Sequence, residues 1–101
     1  MNGSFKAELK VNKISVEMNA FVEELLARIT VGLVGSLKGG ENVQSLEIHQ
    51  EKDKAKITVN GNDIPLTPFP NDIICSTLAG LVSSLKEVDA IDSLGITVKV
   101  Q

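Results

Sequence analysis

At 101 residues, with 43% hydrophobic and 23% charged side chains, the chain has the length of one domain and the composition of a folded, water-soluble protein. A net charge of −3, a pI near 5.0, no Trp, no Tyr and only three Phe exclude the basic stripe and the stacking platform of a nucleic-acid binder. A single Cys excludes an internal disulfide and fits a reducing cytoplasm, the expected location.

The first stretch, "MNGSFKAELK", has no apolar run of the kind a signal peptide needs. From Phe5 the chain alternates, with Phe5, Ala7, Leu9 and Val11 apolar between Lys6, Glu8, Lys10 and Asn12. That is the period of a half-buried strand. After a turn at Asn12-Lys13, Ile14, Val16 and Met18 continue as a second strand. Asn19 can cap a helix over "FVEELLARITVGLVGSLK", where Val22, Leu25, Leu26, Ile29, Leu33 and Leu37 form one stripe. Glu23, Glu24 and Arg28 within it exclude a membrane span, and Gly39-Gly40 is expected to end it. "SLEIHQ" predicts a third strand, and the polar stretch Gln50–Lys54 a tight turn.

The same order then returns. Ala55, Ile57 and Val59, then Ile64 and Leu66, predict two strands joined at Asn60-Gly61, a strong hairpin signal. Thr67 can cap a second helix, with Pro68 at its first position, running through "PNDIICSTLAGLVSSLKEVD". "SLGITVKVQ" predicts the last strand.

Laying Lys6–Gln50 over Lys54–Val98 at a constant shift of 48 gives 14 identities in 45 pairs, where composition alone gives roughly three. Among them are Asn12/Asn60, Phe21/Phe69 and Ile48/Ile96, and the heptads "GLVGSLK" and "GLVSSLK". The chain therefore reads as a tandem duplication: one domain over residues 1–101, with internal repeats at 5–50 and 53–101. The expected fold is α+β, a two-layer sandwich of duplicated β-β-α-β units with pseudo-twofold symmetry. A six-stranded, mostly antiparallel sheet would carry both helices on one face, its inward positions apolar and its outward ones polar.

Glycine inside a helix costs about 1 kcal/mol against alanine, so Gly32 and Gly80 call for a compensation. Gly32 with Ser36, and Gly80 with Ser84, make small-residue grooves four positions apart. They are expected to mark a close crossing of the two helices, or an interface with a ligand or a second protein. Apolar residues beyond the main stripe, Val31 and Val34 in the first helix and Ile73 and Leu78 in the second, point to a protein partner or self-association.

Chemistry is sparse. His49, the only histidine, falls at an outward strand position, and Cys75 at a helical position matching Ala27; neither has a partner in sequence for nucleophilic or metal chemistry. Glu23-Glu24 and Asn71-Asp72 suit the helix dipole. Glu87, Asp89 and Asp92 lack the spacing of a calcium loop, and "SLKGGEN" is no phosphate loop. Lys6, Lys10, Lys54, Lys56 and Lys99, diluted by acids, read as a solvated face. No cofactor, metal site or catalytic residue is expected.

Each copy, "VNKISVEMNAFVEELLARITVGLVGSLK" and "VNGNDIPLTPFPNDIICSTLAGLVSSLK", resembles a unit in C-terminal extensions of some bacterial molybdopterin-guanine dinucleotide biosynthesis B proteins. The nucleotide-binding domain of that family has no counterpart here, and no catalytic residue carries over. The expected function is a noncatalytic protein-interaction or assembly module. The alternatives are a small-ligand or cofactor-binding accessory protein, which the resemblance would link to molybdenum-cofactor metabolism, and an enzyme with a site built from both copies.

Overall fold

The computed structural model describes residues 5–85 and 90–100. Its elements are β1 (Phe5–Val11), β2 (Ile14–Val16), α1 (Ala20–Gly35), β3 (Ser45–Glu51), β4 (Lys54–Val59), β5 (Asn62–Ile64), α2 (Pro68–Leu85) and β6 (Ser93–Val100). The strands form one sheet in the order β2-β1-β6-β3-β4-β5, and all neighbours are antiparallel. The fold is α+β, a six-stranded antiparallel sheet with two helices.

Alternation decides which face is covered. Leu9, Val11, Leu46, Ile48, Ile57, Val59, Leu94, Ile96 and Val98 all point to one side, where they merge with Leu26 and Val34 of α1 and Ile74, Leu78 and Val82 of α2 in one buried cluster. The other side is open and carries Lys6, Glu8, Lys10, Glu47, His49, Lys54, Lys56 and Lys99, all exposed. The molecule is a slab of 34 × 34 × 17 Å.

Registers place chosen residues together. β3 and β6 meet at the centre of the sheet with Ile48 opposite Ile96, Ser45 opposite Lys99 and Glu51 opposite Ser93. β1 lies against β6 with Phe5 opposite Val100, and β4 lies against β3 with Ala55 opposite Gln50. The third strand of the chain is thus separated from the first by the last.

Two asparagines tie this arrangement down. Asn12 and Asn60 both have φ of 52°, in the left-handed turns after β1 and β4. Asn12 Oδ1 accepts from the backbone N–H groups of Asp92 at 2.7 Å and Ser93 at 3.0 Å, while its Nδ2 donates to the Ala90 carbonyl at 3.1 Å. Asn60 Oδ1 accepts from Gln44 N–H at 2.8 Å and Ser45 N–H at 3.0 Å, and its Nδ2 donates to the Asn42 carbonyl at 3.0 Å. The first turn of each helix also reaches back to a strand. Glu23 accepts from Ala7 N–H and Asn71 from Ala55 N–H, each at 2.8 Å, occupying strand-edge donors that β2 and β5 are too short to cover.

Three expectations need correction. The first helix stops at Gly35, not at Lys38: the Ser36 N–H turns to the Leu33 and Val34 carbonyls, and the chain folds back over that last turn on its way to the sheet. Gly39-Gly40 is therefore a return loop and no cap. Secondly, inward positions are not all apolar, because Gln50 is buried with its Oε1 unpartnered and its Nε2 3.4 Å from the Cys75 carbonyl. Thirdly, Ile14 sits at the start of the short edge strand β2 and, although it pairs with the inward Val11, is 70% exposed. The expected end of the second helix, with Glu87 and Asp89, lies outside the described residues.

Candidate interface site

Each helix buries a stripe spaced by three and four: Leu26, Ala27, Thr30 and Val34 in α1, and Ile74, Cys75, Leu78 and Val82 in α2. Thr30 lies in that stripe at no cost in unpaired polarity, since its hydroxyl donates to the Leu26 and Ala27 carbonyls. The arc on the far side of α1 exposes Phe21, Arg28, Gly32 and Ser36; that of α2 exposes Phe69, Ile73, Ser76, Gly80 and Ser84.

Phe21 is 73% exposed and Phe69 is 72% exposed, with Ile73 at 42%. An aromatic ring open to water gives up roughly 2 kcal/mol of available burial. Two such rings, 48 positions apart and each in the first turn of a helix, are not accounted for by the core. Charge is scarce beside them. Within α1, Glu24 is paired with Arg28 and Glu23 is held by the Ala7 N–H, and α2 contributes only Asp72.

The close crossing expected at Gly32 and Gly80 is absent. A Cβ built on either glycine meets nothing within 4 Å. The cause is placement: α1 packs chiefly on β1 and α2 on β4, strands separated by β6 and β3 and hence by about 14 Å, wider than the ~8–10 Å of packed helices. What lies between the helices is a groove of 230 Å3 lined by Leu33, Ser36 and Leu37 from the end of α1 and Phe69, Pro70, Ile73 and Ile74 from the start of α2. Ser36 therefore shares this groove with the start of the other helix, whereas Gly32 and Gly80 do not line it. The hydroxyls of Ser36 and Ser84 are turned inward, donating to Leu33 O at 2.7 Å and Gly80 O at 3.0 Å. Of the apolar residues that the sequence marks as surplus, Ile73 is exposed in the groove as expected, whereas Val34 and Leu78 are fully buried against the sheet. Sequence reasoning missed Phe69 as a groove residue. Its signal was present, since Phe21 and Phe69 fall off the buried stripe and yet are the same residue.

The remaining candidates separate. Cys75 is buried, and burial above all, then the charges of Asp53 and Asp72, pushes its thiol pKa up, so it stays protonated. His49 lies on the open side of the sheet, with its imidazole 4.0 Å from the Glu47 carboxylate, and the sheet divides it from Cys75. On that open side Lys6 faces Lys99 and His49 faces Lys56, with Glu8 and Glu47 in the adjoining row. Among the described residues no three His, Cys, Asp or Glu side chains converge to hold a metal ion, and no helix is long and apolar enough to cross a membrane. No protein-family model, curated protein or solved structure matches this chain. The likeness to the molybdopterin-related extensions therefore rests on the sequence motif alone.

Proposed function

We propose that this chain is a noncatalytic protein-interaction module, built from one duplicated β-β-α-β unit and docking through the outer face of its two helices. The observation that carries the docking role is the pair Phe21 and Phe69, retained at matching places and over 70% exposed on a face almost without net charge. At Phe69 the exposed ring continues into Ile73 and the groove lined by Leu33, Leu37 and Pro70, the kind of apolar patch that marks an association surface. The mixed lysines and acids opposite suit solvation.

The duplication draws support from the registers. Shifting β1, β2 and β3 by 48 carries each pairing onto one of β4, β5 and β6: Leu9–Val16 onto Ile57–Ile64, and Ala55–Gln50 onto Ala7–Val98. Ile48 and Ile96 are then the residues on a pseudo-twofold axis. The same shift converts every Asn12 bond into the corresponding Asn60 bond. A lone buried cysteine fits a reducing cytoplasm.

The test is affinity capture from native cells with the parent chain and with a Phe21→Asp/Phe69→Asp variant, quantified against an untagged control. The reading expects the specific partners of the parent, further copies of the chain included, to be lost from a variant whose circular dichroism is unchanged. Full retention of those partners rejects the helix face.

A further inference from the structure

Resting on the reading of the helix layer as a docking face, we infer that its occupant is a second copy of this chain, stacked helix layer to helix layer about a twofold axis.

Shape is the first argument. The molecule is a slab 17 Å thick and 34 Å on each side, with the two helices covering one broad face. A face of that size can supply the ~800 Å2 that each partner contributes to a standard interface. Two slabs joined through their helices would be about as thick as they are wide. The 34 × 34 Å face is ample for such a contact.

Self-complementarity is the second. A twofold interface uses one patch on both subunits, so that patch must supply both the projections and the hollows. Here the projections are Phe21 and Phe69, the hollow is the groove between the helices, and the bare backbone at Gly32 and Gly80, with nothing within 4 Å of a built Cβ, leaves room for a partner's side chains. At 230 Å3 the groove falls below the ~300 Å3 at which small-molecule pockets begin, and it suits an inserted side chain.

Charge is the third. Identical faces bring identical charges together, which is tolerable only where they are few or already neutralised. The Glu24–Arg28 pair and the lone Asp72 meet that condition; the open sheet side, where lysine already faces lysine, does not.

The test is sedimentation velocity with light scattering on the full chain, from micromolar to sub-millimolar concentration. The expected result is a particle of about twice the 10.8 kDa chain mass. Phe21→Asp/Phe69→Asp should be monomeric, and Lys56→Asp on the open sheet side should remain a dimer. Should the phenylalanine variant fold poorly, Gly80→Arg replaces it: the monomer has room for the side chain, and its dissociation constant should rise at least tenfold with no fall in the melting temperature of the monomer. A parent monomeric at every concentration overturns the inference, as does a dimer indifferent to both helix-face variants. A monomeric parent whose capture of some other protein still depends on Phe21 and Phe69 removes the second copy but leaves the docking face standing. A monomeric parent with no such dependence removes both.

Discussion

Three glycines show how far a single residue can be read from sequence. Gly32 and Gly80 lie inside helical patterns and Gly40 in a polar loop, so the first two invite a packing explanation and the third none. The structure reverses this. A methyl group at Gly32 or Gly80 enters open space, whereas one at Gly40 runs into the Val34 carbonyl, because the chain folds back over the end of α1 at that point. Close approach depends on where a loop returns, which local pattern does not encode. The same limit hid the groove: Phe69 was legible as a repeated residue but not as an exposed one. In the Phe21→Asp/Phe69→Asp background, where association does not enter, Gly32→Ala should raise stability by about 1 kcal/mol through helix propensity. Gly40→Ala should lower it by about 2 kcal/mol or more through overpacking. Urea titrations of both variants check this, and equal midpoints would show that the loop does not press on Val34.

Elements formed by neighbours in sequence were legible. Asn60-Gly61 makes the turn that its left-handed tolerance allows, with φ of 52° and 85°. Asn19 caps α1 through the Val22 N–H at 2.8 Å. The clamps that join distant elements were not, since nothing in the letters near Asn12 points to Ala90 or Ser93. Each clamp provides three side-chain hydrogen bonds, and because most of them are exposed each is worth about 0.5 kcal/mol, the low end of the net range. Asn12→Ala should therefore cost about 2–3 kcal/mol, including the strain of an alanine at positive φ. Asn12→Gly should cost about 1 kcal/mol less, because it keeps the turn and loses only the bonds. Asn60 should behave alike. Ser45 and Ser93, which the two clamps grip, lie at opposite ends of the central strand pair, roughly 20 Å apart, so Asn12→Ala and Asn60→Ala should add. Chemical denaturation of the two single variants and the double variant gives the answer, and a double loss well short of the sum would mean that the clamps act as one unit.

At the scale of the molecule, the layers were legible and the strand order was not. Alternation states which side chains face inward, and two amphipathic helices must cover that side, but neither feature says which strand lies beside which. The observed order interleaves the halves: β6 of the second separates β1 and β3 of the first. This arrangement leaves Lys6 and Lys99 as cross-strand partners, in the same relation as Lys54 and Glu51 on either side of the β3–β4 turn. Phe5 and Val100 stand where Asp53 and Lys52 form that turn. If one unit was duplicated, the two places are equivalent and the connection can be exchanged between them. A circular permutant that begins at Asp53, ends at Lys52 and links the regions of Val100 and Phe5 by a short turn reads the second half first. It retains every strand pairing, and the loop-closure entropy lost at one turn returns at the other, so stability should stay within about 1 kcal/mol of the parent. Far-ultraviolet circular dichroism and a cooperative melt measure this directly. Loss of the cooperative transition would mean that the turn at Lys52-Asp53 carries a folding role its counterpart lacks, and the proposed equivalence of the halves would fail with it.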